Sequence, residues 1–156
     1  MSLTTYGGLK TAVANWLNRS DLTSQIPDFI TLAHAEIQAR LRHWRMLNRA
    51  TATLDAEFTA YPADFLEADY IFLDTSPISE LTVVAPRTLI VEKAKYGYSN
   101  GKPKLIAFSE EMMVTPTPDQ SYTMEMLYYQ QITAMSVDGG SNWVLQHFPF
   151  LYLFGA

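Results

Sequence analysis

The chain has 156 residues, of which 48% are apolar and 17% charged, and a formal net charge of −5. That length suits one domain, the composition excludes a disordered chain, and the acidic balance argues against a nucleic-acid binder that works through bulk positive field. Cysteine is absent, which removes disulfides and thiolate metal sites, and no stretch reaches the roughly 18 to 20 apolar residues of a membrane span.

The opening "MSLTTYGGLKTAVANWL" lacks the basic and continuous apolar regions of a secretory signal, so the chain reads as intracellular when made. Leu9, Val13, Trp16 and Leu17 fall at helical spacing with Thr4 or Thr5 as N-cap, which predicts a first helix broken at "SDL". A second stripe of Ile26, Phe29, Ile30, Ala33, Ile37, Leu41 and Trp44 predicts a helix of about 20 residues with Pro27 in its first turn. Leu9, Trp16, Phe29, Ile37 and Leu41 are expected to be buried together in a helical hairpin over about 5–48.

After Arg49 the hydrophobic period drops to 2. Ala50, Ala52 and Leu54 alternate with Thr51 and Thr53, and "LDAEF" reads as a tight turn that makes a β-hairpin with a second short strand. Further strands are predicted near Tyr70–Leu73 and in "ISELTVVAP", then a short helix from Pro86 ended by Gly97, then the loop "GYSNGKP". Three more strands follow, with turns at Ser109–Glu111 and Pro116–Ser121. The last alternates Tyr122, Met124, Met126 and Tyr128 with Thr123, Glu125, Leu127 and Tyr129, so both of its faces are expected to be mostly covered. "SVDGGSN" caps a helical ending over about 141–156, in which Pro149 separates a short turn from a helix starting near Phe150. The predicted fold is α+β: an N-terminal helical hairpin packed with an antiparallel β region (about 49–134), ending in a C-terminal helix cut short, all within one domain, 1–156.

Chemistry-bearing patterns are scarce. His34, His43 and His147 do not fall at metal-ligand spacing, "GYSNGKP" fails as a phosphate loop in both spacing and residue type, and no Gly-x-Ser-x-Gly elbow occurs. The reading is a non-enzyme with no cofactor. Arg40, Arg42, Arg45 and Arg49 gather at the predicted end of the second helix. Three uses fit them: stabilising that helix end, binding a phosphate backbone, or pairing with acids of a neighbouring subunit. Trp143, Phe148, Phe150, Tyr152 and Phe154 crowd the end of the chain, either as core or as an apolar contact surface.

The order of the parts, and in particular "WLNRSDLTSQIPDFI", "YPADFLEA", "TPTPDQSYTMEMLYY" and "NWVLQHFPFLYLFGA", resembles the head-to-tail adaptor (connector) family of tailed bacteriophages, as in short-tailed phages. The resemblance implies a virion protein of the neck, made in the host cytoplasm and assembled as a homo-oligomeric ring of about twelve copies. Such a ring docks below the portal protein, extends the channel for packaged double-stranded DNA, and offers the surface on which a tail or nozzle protein attaches; no membrane is involved. Adaptors of this kind continue into further helix where this sequence ends, so the apolar ending is expected to be truncated or covered by neighbours. The competing reading is a DNA-binding module using the Arg40–Arg49 cluster.

Overall fold

The computed structural model describes residues 3–19, 21–97 and 99–156; the break at "SDL" and the loop "GYSNGKP" each include a residue outside that range, Ser20 and Tyr98. The architecture is α+β, in two compact units: a helical unit formed by Met1–His43 with Gln131–Ala156, and a β unit, Trp44–Gln130, that lies between them in the chain.

In the helical unit, α1 (Tyr6–Leu17) begins where the Thr5 hydroxyl accepts the Gly8 N–H and ends at Asn18, whose left-handed backbone (φ 49°) stops the helix. Its buried stripe is Tyr6, Leu9, Ala12 and Val13. Trp16 does not belong to it: its side chain is 69% exposed, one turn beyond the last covered residue. The helix α2 (Ile26–Arg40) starts on Pro27 and buries Ile26, Ile30 and Ala33, with Phe29, Ile37 and Leu41 only partly covered.

This second helix is 15 residues long, shorter than its apolar period predicts. Leu41 turns extended, and the Arg42 guanidinium folds back to donate to the carbonyl oxygens of Gln38 (3.1 Å) and Leu41 (2.8 Å), satisfying the helix end. The return segment adds α4 (Trp143–His147), capped by Asn142 Oδ1 on the Leu145 N–H, and α5 (Pro149–Gly155). The α5 helix packs on both α1 and α2. Gly155 comes so close to α2 that a Cβ there would lie 3.1 Å from the Ala33 methyl.

The β unit opens with a 3-10 turn, Trp44–Met46, followed by β1 (Leu47–Leu54), β2 (Phe58–Thr59), β3 (Phe65–Leu73), β4 (Ser79–Glu80), β5 (Thr82–Val83), the helix α3 (Pro86–Tyr96), β6 (Leu105–Phe108), β7 (Met112–Thr115) and β8 (Tyr122–Gln130). One sheet has the order β1-β8-β3-β4, the other β2-β7-β6-β5, antiparallel except for β5 beside β6. The α3 helix ends at Gly97 with φ 81°, as its sequence requires.

The predicted β1–β2 hairpin does not form. The β1 strand pairs along all of its length with β8, and β2 pairs with β7. Asp55–Glu57 is a crossover between sheets, held by the Val114 N–H on the Glu57 carbonyl at 3.0 Å. Eight paired residues on the Met- and Tyr-rich β8 outweigh the two-residue ladder that the local turn would offer.

The alternation on β8 decides the core. Tyr122, Met124, Met126 and Tyr128 point inward against Leu54, Ile71 and Leu73 of their own sheet and Ile106, Met112 and Val114 of the other. Its second face is only partly covered, with Leu127 37% exposed. At one end of this core the rings stack: Tyr61 on Phe65 (4.8 Å), Phe65 on Phe108 (5.6 Å) and Phe65 on Tyr128 (5.9 Å).

Candidate interface surfaces

The arginine cluster is not a feature of one helix end. Arg40 lies in the last turn of α2, Arg42 in the following extended segment, Arg45 in the 3-10 turn and Arg49 in β1, because the helix stops early and the strand begins early. Each has work within its own unit. Arg40 pairs with Glu36 one turn back (2.5 Å), Arg42 caps α2, the Arg45 guanidinium lies 5.2 Å from the Trp44 ring, and Arg49 reaches Glu125 on β8 at 2.6 Å.

These contacts leave the cations accessible. Arg40 and Arg49 side chains are 81% and 63% exposed, so a second, external partner can still be added at the surface. Exposed pairs of this kind contribute about 0–1 kcal/mol each, which makes them readily shared.

The terminal aromatics divide. Tyr152 is fully buried in the helical unit. Its hydroxyl shares a hydrogen bond with His34 Nδ1 (2.8 Å) and accepts from Asn142 Nδ2 (2.9 Å), while Asn142 also donates to the Thr133 carbonyl. Burial holds His34 below the usual histidine range and pushes the Tyr152 phenol up. Tyr152 is thus a polar anchor of the core and not a contact surface.

Trp143 and Phe148 are half-buried and form a ring cluster with His43, which stacks on Trp143 at 5.2 Å and meets Phe148 at 6.3 Å. Phe150, against Phe148 at 6.3 Å, is 51% exposed, and Phe154 is 70% exposed. Phe154 meets the exposed Trp16 edge-to-face at 5.7 Å.

The sequence marks Phe154 as a candidate contact residue but reads Trp16 as core; the structure sets the two together as an exposed aromatic pair. Trp16 sits at helical spacing from Val13 and so looks like core; its location at the last turn of a 12-residue helix, followed by Asn18, was the available sign that nothing need cover it. Two large rings placed edge-to-face in solvent, with Leu17 at 41% exposure in the same turn, form the aromatic anchor type that dominates interface energetics.

Among the described residues no group of three or more His, Cys, Asp or Glu side chains is placed to hold a metal ion, and no helix is long and apolar enough to cross a membrane. No curated protein matches the sequence. A family model described as SU10 adaptor protein matches residues 4–156, nearly the entire chain and both of its units. By that match the chain belongs to the SU10 adaptor protein family, a family of structural phage adaptors.

Proposed function

We propose that the protein is a ring-forming adaptor of the phage neck. About twelve copies assemble below the portal protein, continue the channel through which double-stranded DNA passes, and present the surface on which the tail or nozzle protein attaches. The observation that carries this reading is the family match across residues 4–156. The exposed aromatic pair of α1 and α5 supports it, because such a surface suits a protomer that buries further area on assembly.

In this reading Arg40, Arg42, Arg45 and Arg49 serve charged contacts with neighbouring protein, and Trp143, Phe148, Phe150 and Phe154, joined by Trp16, serve apolar ones. A DNA-binding role for the arginines is the weaker reading, because the four are spread over a helix, a loop, a 3-10 turn and a strand of a chain whose net charge is −5. Antibody labelling of intact virions tests the proposal: label is expected at the head–tail junction alone. Absence from the particle, or label at the tail tip, would refute it.

A further inference from the structure

The β1-β8-β3-β4 sheet has two edges of opposite character. At one, β1 is paired only with β8, and among the described residues its outer side meets no other strand. The stretch 44–54 carries Arg45 and Arg49 and no acid. At the other edge, β4 pairs with β3 at Phe72 and Leu73 and the Leu81 N–H bonds the Ile71 carbonyl (2.9 Å), so that among the described residues the stretch Phe65–Tyr70 of β3 has β8 as its one strand partner. The stretch 64–80 carries Asp64, Glu67, Asp69, Asp74 and Glu80 and no base.

Register places the key charges on one face. Arg49 lies opposite Leu127, Glu67 opposite Tyr129, and Glu80 opposite Phe72, which itself lies opposite Glu125; Leu127, Tyr129 and Glu125 all share the outer face of β8. A sheet continued edge to edge from one copy to the next therefore keeps the cations of one edge and the acids of the other on the same side. Both β1 and β3 run antiparallel to β8, hence parallel to each other, so a neighbour rotated about an axis along the strands brings its β1 alongside β3 without reversing it.

The charges also exclude the alternatives. Pairing β1 with a second β1 would bring four arginines together, and pairing the two acidic edges would oppose five carboxylates with five. Like charges across a contact cost several kcal/mol, so only the head-to-tail combination is favoured. Head-to-tail contacts close into rings, whereas like-with-like contacts stop at a dimer. The β3 edge is irregular, with register shifts between Phe65 and Glu67 and between Ala68 and Tyr70, so a neighbour meets it through the charged side chains of Glu67, Asp69 and Glu80 more than through a continuous backbone ladder.

We infer that the β1 edge of one copy docks on the β3–β4 edge of the next, with Arg45 and Arg49 facing Glu67, Asp69 and Glu80. This inference rests on the ring reading above and adds to it which surfaces of the β unit meet.

A pair of charge-reversed chains tests it. Variant one is Arg45→Glu with Arg49→Glu; variant two is Glu67→Lys, Asp69→Lys and Glu80→Lys. Each alone is expected to need about tenfold or more protein to form rings on purified portal at physiological salt, since 1.4 kcal/mol of repulsion already amounts to tenfold. Mixed in equal amounts, they should assemble as the unaltered chain does, each reversed edge meeting its complement. Two folded variants that fail alone and also fail together would overturn the inference, as would normal rings from either alone. Circular dichroism checks folding, and because Arg49→Glu also removes the bond to Glu125, Arg45→Glu alone serves as a second version of variant one. Failure of the unaltered chain to form rings would instead overturn the ring reading, which keeps the two outcomes separate.

Discussion

Tyr152 shows how one hydroxyl can tie a terminal helix into a core. It links α5 to His34 on α2 and to the Asn142 cap of α4, so three elements share one buried polar node. Tyr152→Phe keeps the ring's packing but leaves His34 Nδ1 and one Asn142 donor short of a partner, and it is expected to cost about 1–3 kcal/mol in urea unfolding. A loss below about half a kcal/mol would mean that the node is incidental. The same node is expected to make stability depend on acid. Burial depresses the His34 pKa, while in the unfolded chain the ring titrates near its ordinary value of about 6.5. Below that pH the unfolded state takes up a proton that the folded state resists, so stability falls as pH drops through about 6.5 and levels off below the folded pKa. Thermal melts between pH 7.5 and pH 5 should show this slope and should show a flatter one for His34→Gln; matching slopes would remove His34 as its source.

At the scale of elements, the helical unit separates residues that hold the fold from residues that offer a surface. Ile30→Ala removes a buried side chain of α2 and is expected to cost about 2–5 kcal/mol. Trp16→Ser with Phe154→Ser should change the unfolding free energy by less than about 1 kcal/mol yet weaken binding to portal or neighbouring copies at least tenfold. A double variant that unfolds easily, or that binds unchanged, would contradict this division. The sequence already spoke clearly where period and chemistry agree: the Thr5 cap, the α3 helix with its Gly97 stop, the β8 alternation, and the Pro149 break between α4 and α5 are all legible in residue order. It misled where long-range contacts override local pattern. The apolar stripe of α2 runs on to Trp44, but the Arg42 cap and the wholly buried Met46 end the helix after Arg40. The β1–β2 turn looks like a hairpin because nothing local announces that β8, almost 70 residues later, is the better partner. Both errors moved the arginines: a cluster assigned to one helix end is spread over a helix, a loop, a 3-10 turn and a strand.

At the scale of the whole molecule, the two units divide the charge. The helical unit carries four basic and four acidic side chains, so the entire net charge of −5 belongs to the β unit, while the exposed Trp16–Phe154 pair belongs to the helical one. The β unit begins and ends side by side, with Leu47 opposite Tyr129 at one end of its sheet, which is how a folded insertion can leave and rejoin a helical unit. A neutral unit with aromatic anchors and an acidic unit with a polarised sheet suit a protein whose business is to join others of its own kind and of a particle. The most direct test of that account is the native mass of the complex formed by this chain with the purified portal protein of the same phage, measured at low and at high salt. The account predicts a closed ring of about twelve copies bound to the portal, weakened at high salt as the charged edge contacts are screened but still present because apolar contacts remain. A chain that remains monomeric beside the portal, or that instead binds double-stranded DNA with an affinity falling steeply as salt rises, would contradict it.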